Sequence, residues 1–199
     1  MLKKLINWYQ KKFVNTEHLM KKEHLNIKNH IVKINGDKFY LAKAMVTDIP
    51  EMVNIERDVY DGKAPWTDEA FLPELKPRLD RFYLLLRQED ELVAFIGSSL
   101  NDKQCDCHIS NVAVKPEYQE RGLGYFLIAK IIKKARQLNY KTVSLEVRIS
   151  NVKAQRLYSD LGFKQVGVKK GYYDGDHEDA VDMVLDLSLY ETIPNNFGI

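Results

Sequence analysis

The stretch Asn111–Gly124, NVAVKPEYQERGLG, constrains the fold more than any other part of the chain. Its apolar run Val112-Ala113-Val114 has the composition of a buried strand, and Pro116 ends that strand because proline has no N–H for the ladder. From Leu123 onward Phe126, Leu127, Ile131, Ala135 and Leu138 recur at helical spacing, with Lys130, Lys133, Lys134 and Arg136 between them. The segment therefore reads as strand, turn and long amphipathic helix. Gln119, Gly122 and Gly124 fall at the helix's first turn, where free backbone N–H groups and the positive end of the helix dipole favour an anion. Glycine there lets a pyrophosphate approach the main chain, and Arg121 adds a charge. Taken alone, Gln-x-x-Gly-x-Gly equally describes a tight turn in which glycine only relieves backbone strain.

A second block, LEVRISNVKAQRLYSDLGF from Leu145 to Phe163, separates these readings. Leu145 and Val147 face one side of a predicted strand, while Glu146 and Arg148 face the other. Ser150-Asn151 is a good helix cap. Tyr158 follows Asn151 by almost two helical turns, so both can look toward one cleft. Gly162 ends the helix. Each residue also has a purely structural reading: Glu146 as a surface ion pair with Arg148 or a lysine, and Tyr158 as a core aromatic with its hydroxyl at the rim.

Together the two blocks resemble the GNAT superfamily of acyl-CoA-dependent N-acetyltransferases. Leu-Glu-Val-Arg, Ser-Asn, Leu-Tyr, Leu-Gly-Phe, Gly171-Tyr172-Tyr173 and Glu178-Asp179-Ala180 are similar, more closely, to the bacterial ribosomal-protein-alanine N-acetyltransferases, over residues 38–187. The resemblance implies an α/β (mixed α+β) fold: a mixed, mostly antiparallel sheet flanked by helices, in which the strand ending at Val114 and the strand carrying Glu146 splay apart. It implies acetyl-CoA as co-substrate, no metal, Glu146 as general base and Tyr158 as general acid. Cofactor contacts are implied at Val112, Ala113, Val114, Gln119, Glu120, Arg121, Gly122, Leu123, Gly124, Tyr125 and Asn151. Trp66, Tyr172 and Tyr173 correspond to loops around the acceptor, and equally read as aromatic lids on the core. The implied acceptor is the N-terminal α-amine of a protein, a ribosomal protein beginning with alanine. The loop from Asp174 to Asp179 is shorter than the resembled pattern, which leaves small amines and lysine side chains as alternative acceptors. A non-catalytic acyl-CoA-binding module is a third reading, and intact Glu146 and Tyr158 argue against it.

The chemistry asks for these residue types. Acetyl transfer from a thioester needs a free amine lone pair, a polarised carbonyl and a protonated leaving thiolate. An α-amine with an ordinary pKa near about 8 is partly neutral already, so a carboxylate acting through a water has modest work to do.

With 199 residues and 45% hydrophobic content, the chain can bury one substantial core. Its net charge of +2 is unevenly placed: residues 1–36 carry eight lysines and two glutamates, leaving the remainder near −4. A mildly acidic body fits a cationic amine or a basic peptide. Leu2, Leu5, Ile6, Tyr9 and Phe13 mark a short basic amphipathic helix over Met1 to about Val14. It fits a helix docked on the domain, a contact of residues 1–28 with anionic lipid or ribosomal RNA, or a frayed tail. The chain divides into an extension with the first hairpin strand (1–37), the acetyltransferase domain (38–187) and a tail (188–199). Cys105 and Cys107 are the only cysteines. As neighbours in a strand they would align too rigidly for a disulfide, and with His108 they are one ligand short of a metal site. Two free thiols suit a reducing cytoplasm, and no apolar run is long enough for a transmembrane segment.

Asn35-Gly36 predicts a type I′ hairpin. Asp48 with Glu51 predicts a capping box ahead of a helix, and Thr67 caps another. Strands are expected near Phe82–Arg87, Leu92–Ser99, His108–Val114, Thr142–Val147, Phe163–Val168 and Ala180–Leu187, with a helix from Asn151 to Leu161.

Overall fold

The computed structural model describes Leu25 and residues 27–189. The expected helix over Met1 to Val14, and residues 190–199 of the expected tail, lie outside the described residues. The described strands are β1 (His30–Ile34), β2 (Asp37–Lys43), β3 (Arg81–Gln88), β4 (Glu91–Asn101), β5 (Asp106–Val114), β6 (Thr142–Arg148), β7 (Lys164–Lys169) and β8 (Ala180–Asp186). They form one eight-stranded sheet in the order β1-β2-β3-β4-β5-β6-β8-β7. Every neighbouring pair is antiparallel except β5 and β6. This is the mixed, mostly antiparallel α/β architecture expected from early hairpins followed by a strand-helix-strand crossover. Asn35 and Gly36 have φ of 49° and 95°, the left-handed pair that a type I′ turn requires.

Helices cover both faces. On one side lie α1 (Ile49–Val59) and α2 (Asp68–Leu75), whose Met52, Val53, Ile55 and Phe71 pack with Tyr83, Leu85, Phe95 and Ala113. On the other lie α3 (Leu123–Gln137) and α4 (Val152–Asp160). The predicted stripe on α3 buries Leu123, Phe126, Leu127, Ile131 and Ala135 against Ile96, Ile109, Val143 and Leu145. Each large side chain so buried contributes roughly 1.5–3 kcal/mol, which fixes the helix on the sheet. Leu25 is buried in the same core, and β1 is an edge strand of the same sheet.

Two local expectations are corrected. Asp48 and Glu51 do not form a capping box with each other. Asp48 Oδ2 accepts from the Met45 N–H at 2.7 Å, and both carboxylates converge on the Arg87 guanidinium at 2.8 and 2.7 Å. A guanidinium from β3 outcompetes the weaker cap because it offers charge-assisted bonds to both groups at once. Cys105 is not a strand residue: it ends the β4–β5 turn with φ of 53°, while Cys107 is buried on the core face of β5.

The decisive feature for function is where β5 and β6 part. They pair only from Asp106 opposite Thr142 to Ile109 opposite Leu145. Beyond Ile109 a bulge shifts the β4–β5 register, so that Ser98 faces Ile109 and Gly97 faces Asn111, leaving Ser110 unmatched. Gly97 sits at this bulge beneath the Tyr83 ring; a Cβ there would lie 2.1 Å from Tyr83 Cζ. β5 thus bends away while β6 continues to Arg148 alongside β8. The expected splay is present, and the bulge is its physical cause.

Candidate active site

A cavity of about 470 Å³ occupies this wedge. Its walls are Ile109–Val112 from β5, Leu145–Arg148 from β6, Tyr60, Pro65 and Trp66 from the α1–α2 connection, Asn151 and Tyr158 from α4, and Tyr172–Asp174 from the β7–β8 loop. Strand alternation places Leu145 and Val147 with the α3–α4 core, in which Tyr158 of α4 also packs, while Glu146 points to the opposite face.

Glu146 is not the solvated surface ion pair of the plain reading, and it does not pair with Arg148. Its side chain is only 10% exposed. Oε2 lies 3.2 Å from His108 Nε2 and accepts from the Tyr172 hydroxyl at 3.2 Å, while Oε1 accepts from Lys169 Nζ. Burial opposes its ionisation, but the hydrogen bonds and charges of His108 and Lys169 outweigh burial and hold its pKa at about 2. Arg148 instead donates to Asp176 at 2.8 Å and Glu178 at 2.7 Å, and its guanidinium lies 4.0 Å from the Tyr173 ring centroid. These contacts tie the β7–β8 loop to β6. Tyr172 and Tyr173 meet edge-on at 5.2 Å, so Tyr172 is presented to Glu146 by a neighbour that Arg148 holds.

Tyr158 is 6% exposed and lines the cavity from α4. Burial first, and the nearby Tyr60 second, push its pKa upward, which keeps the phenol protonated. Asn151 caps α4 by accepting from the Ala154 N–H at 3.0 Å. Its side-chain oxygen serves the helix, which leaves its amide N–H groups for a ligand.

The residues singled out around the glycines divide by role. Gly122 is the N-cap of α3 at φ 86°, and a Cβ on Gly124 would make only ordinary contacts with Leu157 at 3.5 Å and Val114 at 3.9 Å, so the protein itself does not exclude a side chain at 124. The α3 N–H groups of Leu123, Gly124 and Tyr125 precede the first intrahelical bond, from Phe126 N to Gly122 O at 3.0 Å, and are the donors an anion would meet. Leu123 and Ala113 are buried, so only their backbones can touch a ligand. Along Val112–Val114 the β6-facing backbone edge is unpaired by β6. Gln119 Nε2 donates to Val114 O at 3.2 Å, bracing the turn. Arg121 does not contribute a free charge: it pairs with Asp37 at 2.7 Å and lies 4.9 Å over the Tyr118 ring. Glu120 is likewise paired, with Lys153 at 2.9 Å.

Trp66, expected near the acceptor, lines the cavity and packs 5.2 Å from Phe71. Two functional candidates are not marked as such by the sequence, which sets His108 only beside Cys105 and Cys107. His108 lies in the wedge, and its dyad with Glu146 arises only from the pairing of β5 and β6. Glu56 is 1% exposed on α1; its Oε1 accepts from Asn111 Nδ2 at 3.1 Å, and Oε2 has no hydrogen-bond partner. Burial pushes the Glu56 carboxyl up to about 7, against the hydrogen bond from Asn111 and the nearby Trp66 backbone. No signal in the sequence marks it, since glutamate on an amphipathic helix ordinarily faces solvent.

A sheet split between two parallel strands, with a glycine-started helix at the splay and a carboxylate and a phenol lining the gap, defines an acyltransferase that acts on amines. The chain belongs to the Acetyltransferase (GNAT) family, whose model matches residues 49–163. It is 34% identical over 153 residues to the [ribosomal protein bS18]-alanine N-acetyltransferase of Escherichia coli K12, covering 75% of this chain and 98% of that one. It is 29% identical over 163 residues to an N-alpha-acetyltransferase of Sulfurisphaera tokodaii, covering 76% and 95%. The crystal structure of the E. coli ribosomal-protein-S18-alanine N-acetyltransferase superposes with a TM-score of 0.67 at 28% identity, covering 78% of this chain and 98% of that one. No helix among the described residues is long and apolar enough to cross a membrane.

Proposed function

We propose that this N-acetyltransferase moves the acetyl group of acetyl-CoA to the N-terminal α-amine of a protein, a ribosomal protein beginning with alanine, in the cytoplasm. The observation that carries the reading is the cleft itself: an anionic, largely buried Glu146 and a protonated, buried Tyr158 line one cavity in the β5–β6 gap together with Trp66, Tyr172 and Tyr173. The residues fit the co-substrate. The open edge of β5 offers backbone groups to the pantetheine chain, the first turn of α3 offers N–H groups to the pyrophosphate, and Gly124 leaves room beside them.

In the mechanism, the acceptor's ammonium enters on the Glu146 side, drawn by the carboxylate, while Trp66, Tyr172 and Tyr173 wall an extended peptide. The backbone N–H groups of Val112–Val114 polarise the thioester carbonyl. The amine attacks, the C–S bond breaks, and the Tyr158 phenol donates to the departing thiolate. Glu146 orients the ammonium and takes its first proton through a water and on to solvent, and the second proton of the new amide nitrogen restores the Tyr158 phenol. Tandem mass spectrometry of an alanine-starting peptide after incubation with acetyl-CoA tests the reading: the acetyl group is expected on the α-nitrogen, and acetylation confined to lysine side chains or polyamines contradicts it.

A further inference from the structure

We propose that Asn111 is the residue that receives the substrate's amine nitrogen in the cleft, and that Glu56, buried behind it, is a positioning residue that fixes the orientation of its side-chain amide. The inference rests on the acetyltransferase reading and names what aims the amine at the thioester. Asn111 lines the cavity just past the unmatched Ser110 of the β5 bulge, next to Val112–Val114. Ala113, two residues on, packs in the α1–α2 core, so Asn111 looks to that side of the sheet, the side to which Glu146 also points. Glu56 meets it from α1, one turn beyond Met52 on the helix's buried stripe. Its Oε1 accepts from Asn111 Nδ2 at 3.1 Å, and the backbone of Trp66, in another wall of the cavity, lies beside the same carboxyl.

Among the described residues Glu56 Oε2 has no hydrogen-bond partner. A buried carboxyl left half satisfied is costly, and a side chain that only filled this space would be apolar, like its neighbours Met52, Val53 and Ile55. What Glu56 supplies that an apolar residue could not is an oxygen for Asn111 Nδ2. With its nitrogen so committed, the asparagine has Oδ1 to offer the cavity, a group that accepts hydrogen bonds and donates none. That is the group the amine needs. The ammonium loses one proton by way of Glu146 and keeps two N–H groups while its lone pair forms the C–N bond. A carbonyl oxygen that takes one of these N–H groups fixes the direction in which the lone pair points. No proton passes through Asn111 or Glu56, so the acid–base roles of Glu146 and Tyr158 stand unchanged. The neighbouring polar groups are engaged elsewhere: His108 and Lys169 by Glu146, and Ser110 with the Tyr83 hydroxyl.

The test is a double-mutant cycle on the full chain, read by steady-state kinetics, acetyl-CoA calorimetry and thermal melts at about pH 8. Asn111→Ala is expected to lower kcat/KM for an alanine-starting peptide by at least about 10-fold, the scale of one lost hydrogen bond, with acetyl-CoA affinity unchanged. Glu56→Met fills the space without that oxygen. It should lower kcat/KM by a similar factor yet melt no lower than wild type, since at this pH the wild-type carboxyl is ionised in the interior. Glu56→Gln keeps an oxygen for Asn111 and should recover most of the loss. Because Glu56 acts through Asn111, adding Glu56→Met to Asn111→Ala should lower kcat/KM no further. Additive losses, wild-type kinetics in either single variant, a Gln variant as impaired as the Met one, or a Met variant that melts well below wild type would each overturn the proposal. If wild type acetylates polyamines and not the peptide, the N-terminal assignment fails, and the same cycle run on the polyamine still judges Asn111 and Glu56.

Discussion

At the scale of single residues, the account turns on groups whose environments separate their protonation states. Tyr158→Phe removes the proton for the leaving thiolate but keeps the ring packed 5.9 Å from Phe163. Steady-state kinetics should show kcat lower by about 10²-fold or more with acetyl-CoA affinity retained. Glu146→Gln should lose a similar factor, shrinking as pH rises and more of the amine is already free. Glu56 makes a separate prediction about stability. Its folded pKa is raised from an ordinary 4.5 to about 7, so the fold favours the protonated form. That stabilisation is complete below about pH 4.5 and is lost as pH rises through 7, an effect of about 3 kcal/mol. Glu56→Gln should therefore melt higher than wild type near about pH 8 and lose that advantage near about pH 4. Thermal melts across this range decide it, and a constant difference would mean that the carboxyl ionises without penalty.

Among the elements, the strand-turn-helix at Asn111–Gly124 was legible because proline, glycine and the amphipathic stripe each act locally. α3 begins at the predicted Leu123, and α4 is capped by the predicted Asn151. What the sequence could not reveal depends on partners far along the chain. Arg87 diverts Asp48 and Glu51 from their expected cap, Asp37 neutralises Arg121, and His108 becomes interesting only once β5 lies beside β6. Glu146 and Tyr158 were found through a resemblance, whereas the network around Glu146 required coordinates. Gly122 carries the element-scale prediction. At φ 86° any side chain is strained, and Gly122→Asp also brings a negative charge to the N-terminus of α3. Calorimetry should show acetyl-CoA affinity lost in a variant that still folds; undiminished affinity would reduce the glycine to a turn residue.

For the molecule as a whole, the described sheet carries helices on both faces and opens between β5 and β6, where a bulge and a glycine bend β5 away. We propose that the catalytic unit begins ahead of Leu25, which is buried in its core, and that the preceding lysine-rich residues are separable from the chemistry and available to an anionic surface. The proposed acceptor choice rests on the cavity lining, which includes Trp66, Tyr172 and Tyr173, and on the chemistry of the amine: an α-amine is far more often neutral than a lysine of pKa about 10.4. The most direct measurement is kcat/KM for an alanine-starting peptide against spermidine and against the same peptide with its α-amine blocked and one internal lysine. The account predicts that the free α-amine peptide is preferred by at least about 10²-fold, on the order of 3 kcal/mol in transition-state binding. Equal or faster turnover of spermidine or of the blocked peptide would contradict it.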